Sequence, residues 1–486
     1  MLGKHSSRFA AALLLLGLAP AWTVGQEPSG IQAATAIERT LVDVIAKAEK
    51  SVVAIARVRK ERSDETSTTE FRPDPFGRRA VAASSPQPAD PDFIPNEFAT
   101  GVVVDRRGLI LTAYHVLGEE SEYYVTTIER KVYRARIKGA DPRSDLAVLA
   151  IDATDLIPIR FGDASTLKKG RILIALGNPY AIARDGQVSA AWGIVANLSR
   201  KAPAVIEEPD SSGKSTLHHF GTLIQTDAKL NLGTSGGPLL NLQGQMVGLV
   251  TSLAAPAGYE RAAGYAFPVD DTFRRVVDTL KQGREVEYGF LGIQPTNLTD
   301  AEKSSGLRGM RVHRVVRGTP ATRCGLKDDD IITAVNGRPI FDADGLVLEV
   351  GRLPVDATAR LSIVRGTRQI ELPVALTKFP VRGRKIVTQP KPTWRGMRID
   401  YPTAAVDLNR QIYDGFDEGV IVTDVEEGTP AWLAEVRSGQ LISHVDRTAV
   451  QTPKQFRAAV EGKTGPVRMH VVDRDGETVR TVAPAS

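Results

Sequence analysis

Gly233-Thr234-Ser235-Gly236-Gly237-Pro238, continuing as L-L-N-L-Q-G-Q-M-V-G-L-V to Val250, is the stretch on which the fold turns. A serine stands in a glycine-rich turn, where missing side chains let backbone amides face a bound oxygen and let a peptide come close. A simple β-turn is the plain alternative. A serine on a strand-to-helix elbow would need a helix next, with acid and histidine further along the chain. Residues 238–250 read instead as a hairpin, two apolar runs around a polar, glycine-containing turn. Similar short runs lie upstream: G-V-V-V at 101, L-I-L-T at 109, L-A-V-L-A-I at 146 and I-L-I-A-L at 172. Bounded by Gly, Asp and Asn at close spacing, they predict an all-β barrel or sandwich over 99–270.

Two other stretches bear on the serine. Thr112-Ala113-Tyr114-His115-Val116 ends an apolar run, and His115 alone among seven histidines lies in the barrel's strand pattern. His5 is near the start, His218 and His219 are in a polar stretch, and His313, His444 and His470 come later. A structural imidazole is the default for a lone histidine. Asp141-Pro142-Arg143-Ser144-Asp145-Leu146 offers two carboxylates. Asp141, before a proline, is expected in solvent; Asp145, opening an apolar strand, is expected under cover and is the better partner for a histidine. The order His115, Asp145, Ser235 is one of the known chain orders of a Ser-His-Asp triad.

The chain has 486 residues, 42% hydrophobic and 24% charged, which predicts several folded domains and excludes wholesale disorder or a polytopic membrane protein. Sixty-two basic against 57 acidic residues leave +5, too little for the charge to indicate nucleic acid. One cysteine, Cys324, rules out an intrachain disulfide and is read as core. Lys4 and Arg8, the apolar run from Phe9, and small residues at Ala19, Ala21 and Gly25 read as a signal segment over 1–25. Export is expected, with an uncleaved anchor or transient membrane association as the alternative. Ile37, Leu41, Val44 and Ile45 predict a helix over 33–50, and prolines among charges predict a long mobile loop over 60–97.

The last third repeats itself at an offset of 110 residues. Gly309 matches Gly419, and Gly318-Thr319-Pro320-Ala321 matches Gly428-Thr429-Pro430-Ala431. I-I-T-A-V-N at 331 then matches L-I-S-H-V-D at 441. Each copy, of about 90 residues, is long enough for a small core. Residues 379–393, rich in Pro, Lys and Arg without apolar period, read as a linker.

In type, order and spacing, T-A-Y-H-V, D-P-R-S-D-L-A-V-L and L-G-T-S-G-G-P-L resemble the HtrA/Deg serine endopeptidases. The resemblance implies a mainly β chain: a chymotrypsin-like double β-barrel over 30–282, then two α+β PDZ domains at 286–378 and 394–484. It implies Ser235 as nucleophile, His115 as base, Asp145 as orienter, and the amides of Gly233 and Ser235 as oxyanion donors. Lys229, Leu230, Asn231 and Leu232 should wall the specificity pocket, which in the family takes small or medium aliphatic residues. A lysine at 229 turned inward would favour an acidic partner; turned outward it is merely solvated. The chain departs from the family in Thr234, where Asn is usual, and Tyr114, where Ala or Asn is usual.

The PDZ resemblance places a carboxylate-binding loop at Phe290-Leu291-Gly292-Ile293, and a second, divergent one at Trp394-Arg395-Gly396-Met397, with arginine at an apolar position. The family implies periplasmic, ATP-independent degradation of unfolded polypeptides, chain ends bound by the PDZ domains, and a homotrimer or higher multiple. A catalytically silent or resting-state PDZ chaperone is the alternative. Gly213-Lys214-Ser215 resembles the end of a phosphate loop, but Glu208 stands where that loop needs glycine. No cofactor, metal or nucleic acid is expected.

Overall fold

The computed structural model describes residues 30–59, 97–178, 186–200, 222–231, 233–251, 264–381, 383–404, 418–473 and 476–484. The expected signal segment and residues 60–96 of the expected loop lie outside them. The N-terminal periodicity forms a helix at Gly30–Ala48, with Val44 and Ala48 buried. A single 3-10 turn leads to the strand Val52–Arg59.

The residues from Val44 onward form one unit. Its first sheet runs in the order Val132–Asp141, Ser121–Thr126, Val52–Arg59, Glu97–Asp105, Leu109–Ala113, Leu146–Ile151, and closes when the last strand pairs with the first. Val53, Ile55, Ile110 and Leu149 fill this barrel. A second closed barrel joins Pro238–Leu240, Met246–Thr251, Gly264–Pro268, Leu223–Thr226, Ser189–Arg200 and Ile172–Gly177 around Leu173, Ile224, Leu239 and Val250. The stretch after Ser235 is thus the expected hairpin, with Pro238 opposite Leu249. Several of these strands are buried on both faces, Met246–Thr251 throughout and Leu146–Ile151 at all but Ala150, which is why they read as continuous apolar runs.

The helix Asp271–Lys281 follows. The Asp270 carboxylate caps it, accepting from Phe273 N–H at 2.8 Å, and Phe273, Val276, Val277 and Leu280 are buried. The chain then enters two similar modules. In the first, Met310–Val315, Pro320–Arg323, Ile331–Val335 and Arg338–Pro339 match Val420–Val425, Pro430–Leu433, Leu441–Val445 and Thr448–Ala449 in the second, each at the offset read from the sequence. The outer strands Ile293–Asn297 and Met397–Asp400 hold the same edge of their two sheets. Each module has its own core, around Leu361 in the first and Phe456 in the second. Cys324 packs half-buried against the first of these.

The segment read as a linker has structure of its own. Ile386–Val387 pairs antiparallel with Gly139–Ala140, adding a strand to the first barrel. Thr388 hydroxyl donates to Lys138 O at 2.7 Å, and the Thr388 and Gln389 amides both donate to Gly283 O. Its two lysines, part of the basic composition that suggested a solvated spacer, are paired: Lys385 with Glu285 and Lys391 with Glu287, each at 2.6 Å.

Candidate active site

His115 lies in a one-turn 3-10 helix, Tyr114–Val116, just past the strand Leu109–Ala113. Asp145 holds it twice. The His115 backbone N–H donates to Oδ1 at 2.9 Å, and Nδ1 lies 2.8 Å from Oδ2. Asp145 also accepts from Tyr114 N–H through its own carbonyl, at 2.8 Å. Its φ of 53° is left-handed, which aspartate tolerates better than most residues and which turns the carboxylate back toward the histidine. The Asp145 side chain is wholly buried and the His115 side chain 13% exposed, so the ring keeps a solvent-facing edge. A carboxylate at Nδ1 favours the tautomer with the proton on Nδ1 and the lone pair on Nε2.

Ser235 is brought to the end of the same strand, at the seam of the two barrels. Its carbonyl accepts from Thr100 N–H of the first barrel at 3.0 Å, and Gly236 N–H donates to Val250 O of the second at 2.9 Å. Gly236 has φ +84°, and a Cβ there would sit 2.2 Å from Thr100 O and 2.4 Å from Thr112 Oγ1, so only glycine lets the turn lie this close. Gly233, at φ +91°, has its carbonyl fixed by Thr100 Oγ1 at 2.7 Å, and that hydroxyl oxygen accepts from Asn178 N–H. Thr100 thus aligns both sides of the turn. Nothing in the sequence distinguished it from any other strand threonine.

Thr234, the departure from the family's asparagine, donates its hydroxyl to Asn231 O at 2.7 Å and sets its methyl over Gly177. Of the pocket candidates, Lys229 is exposed, which favours its solvated reading. Leu230 packs on the second barrel's core beside Gly264, Asn231 accepts from Thr234, and Leu232 lies outside the described residues.

Asp141 is where the sequence reading fails. Expected in solvent, it is buried, 1% exposed. The reason is a residue 147 positions away: Tyr288 hydroxyl donates to Asp141 Oδ2 at 2.5 Å, beside Ser144 N–H at 2.8 Å. Burial raises the Asp141 carboxyl, against the pull of these donors and of Arg143. Burial also pulls the Arg143 guanidinium down to about 10. That group stacks 3.6 Å from the centre of Phe379 and 4.7 Å from that of Tyr288. Tyr114 reaches the linker too, donating to Arg384 O at 3.1 Å. The residues flanking both His115 and Asp145 therefore touch the first module or the segment after it.

In the first module, Gly292 at φ +84° makes the loop turn. Its carbonyl and that of Leu291 accept from Val316 and Ala321 N–H, at 3.0 and 2.9 Å. Leu291 is buried and Phe290 packs edge-on against Phe379. The second loop repeats this with Gly396 at φ +88° and acceptors filled by Glu426 and Ala431 N–H. Trp394 packs edge-on against Phe456, Met397 is buried, and Arg395, in place of Leu291, donates to the carbonyls of Val482, Ala483, Lys463 and Gly465.

Comparison with known proteins agrees with this architecture. A trypsin-like peptidase domain model matches residues 99–249, and PDZ domain models match 289–376 and 421–474. The chain is 32% identical over 390 residues to the "Probable periplasmic serine endoprotease DegP-like" of Chlamydia trachomatis serovar D, covering 79% of this chain and 73% of that protein. It is 30% identical over 429 residues to the protein of the same name from Pseudomonas fluorescens, covering 85% and 86%. In fold it is similar to the HtrA-type protease AlgW with decapeptide: TM-score 0.52, 24% identity, 70% of this chain and 99% of that one. Trypsin-like barrels followed by PDZ modules, in a chain this similar to DegP-like proteins, make it a serine endopeptidase that belongs to the DegP-like, HtrA-type family.

Proposed function

We propose that the protein is an exported, periplasmic protease that degrades unfolded or misfolded polypeptides without ATP, using Ser235, His115 and Asp145. The observation that carries this reading is the two-point hold of Asp145 on His115, at 2.9 and 2.8 Å, beside a Ser235 turn packed against the same strand. Ser235 Oγ attacks the peptide carbonyl carbon while His115 Nε2 takes the hydroxyl proton. The oxyanion is met by the amides of Gly233 and Ser235, at about 3 kcal/mol per donor. His115 then gives its proton to the leaving amine, and water, deprotonated by the same imidazole, releases the acyl group. Asp145 stabilises the imidazolium throughout.

The loop Phe290–Ile293 is the proposed site for a substrate's C-terminal carboxylate, the peptide then adding a strand along Ile293–Asn297. The open edge of that strand and the left-handed Gly292 support this. Arg395 is committed to backbone carbonyls, so the second loop is assigned a packing role. The periplasmic address rests on the names of the relatives and on residues 1–25 read as a signal, and assembly as a homotrimer or higher multiple on the family resemblance.

The test is digestion of reduced casein by the mature chain and by Ser235→Ala, without ATP. Cleavage by the parent alone supports the assignment. Equal cleavage by both, or by neither even with added C-terminal peptides, overturns it.

A further inference from the structure

On the outer face of the second module's sheet, three metal-binding side chains meet from three strands. His444 on Leu441–Val445 stands directly opposite His470 on Val467–Asp473, with ring centroids 5.2 Å apart. Glu477, on Gly476–Val482, pairs with Val472 and so lies diagonally beside His470 on the same face. Its Oε1 is 2.7 Å from His470 Nδ1, and His444 Nδ1 is 3.1 Å from Ser443 Oγ. One donor atom from each of the three lies within 4.8 Å of the other two. Donors around a tetrahedral ion with Zn–N bonds of about 2.0–2.1 Å sit about 3.3 Å apart. Rotation of these partly exposed side chains covers the difference.

We propose that His444, His470 and Glu477 form a site for a divalent transition cation of the zinc class, with one nitrogen from each imidazole, the carboxylate, and water completing the shell. Two imidazoles and a carboxylate with an open position suit such a cation, whereas calcium and magnesium favour all-oxygen shells. The protein carries an internal control. At the corresponding ladder positions of the first module stand Ala334, opposite Ser362, and Gln369, opposite Val364. The module's fold therefore needs none of the three donors. Another acidic group, Glu285, Glu287 and Asp400, differs in kind, because the Lys378 ammonium already fills it.

The experiment is equilibrium dialysis of the full mature chain against zinc chloride, in parallel with His444→Ala, His470→Ser and Glu477→Gln. The first two install the residues that the first module carries, so folding is expected to survive, and unchanged melting without zinc checks it. The parent should hold one more zinc per chain than either histidine variant, and Glu477→Gln should bind at least 10-fold more weakly. Zinc should raise the parent's melting temperature and leave that of the histidine variants unmoved. Because the comparison is by difference, zinc held at His218 and His219 or at the catalytic histidine cancels. No zinc bound by the parent, or full parental binding by either histidine variant, overturns the proposal.

Discussion

Tyr288 donates its phenolic hydrogen to Asp141 at 2.5 Å, tying the entrance of the first PDZ module to the turn that ends in Asp145. Burial and the Asp141 charge raise the Tyr288 phenol well above its ordinary value, so it stays a donor. Tyr288→Phe keeps the ring beneath Arg143 and deletes one hydrogen bond to a buried carboxylate. A loss of about 1.5–3 kcal/mol in denaturant unfolding is expected, with lower casein turnover from a loosened Asp145. Unchanged stability and turnover would show that the contact is incidental.

The triad assignment predicts unequal losses. Ser235→Ala should reduce kcat by about 10⁵–10⁶-fold. Asp145→Asn preserves the shape but permits the wrong imidazole tautomer, and about a 10⁴-fold loss is expected. Steady-state peptide hydrolysis distinguishes these values from the few-fold effects of a structural role.

Lys378 is the buried cation that joins the two PDZ modules. Burial alone would lower its pKa, but Asp400, Glu285 and Glu287 outweigh that and hold it above its usual value. Lys378→Met leaves the buried Asp400 without its cation and takes one of two from Glu285 and Glu287, at a cost of about 3–5 kcal/mol. The pH dependence should weaken as well. Against its own burial, the charges of Lys378 and Lys385 hold the Glu285 pKa below its usual value, so in the parent its contribution is full above about pH 4.3 and fades as pH falls through the folded value. In Lys378→Met the Glu285 carboxylate keeps only Lys385, its pKa is held down less, and stability should fall less steeply on acidification over that range. Denaturation midpoints across about pH 3–5 test the two slopes.

Gly236→Ala should abolish cleavage. The new methyl would meet Thr100 O and Thr112 Oγ1 at a φ of +84°, and the left-handed strain alone costs about 1–3 kcal/mol. Retained activity would mean that the turn can move away from the first barrel without harm.

The barrels, the repeat and the three residues proposed as catalytic were legible because each leaves a mark over a short run of sequence: closely spaced apolar runs in the strands, one fixed offset, His115 at a strand end, Ser235 among glycines. Asp141 was misread for the complementary reason. Its environment is built by Tyr288, with Phe379 stacked on its neighbour Arg143, and no local pattern announces a burial partner so distant in the chain. The same holds for Thr100, which aligns the nucleophile turn from the other barrel, and for His444, His470 and Glu477, whose spacing matches no metal motif until sheet register brings them together.

The strand Ile386–Val387 sits in the catalytic barrel although it follows the first PDZ module in the chain. That module is therefore moored fore and aft, by Tyr288 before it and by the returning strand behind it. A truncation after residue 378, drawn where the sequence suggests a clean domain boundary, would also strip an edge strand from the protease and cut away Arg384, whose carbonyl holds Tyr114. Any activity change in such a deletion would report on a damaged barrel as much as on the missing second module.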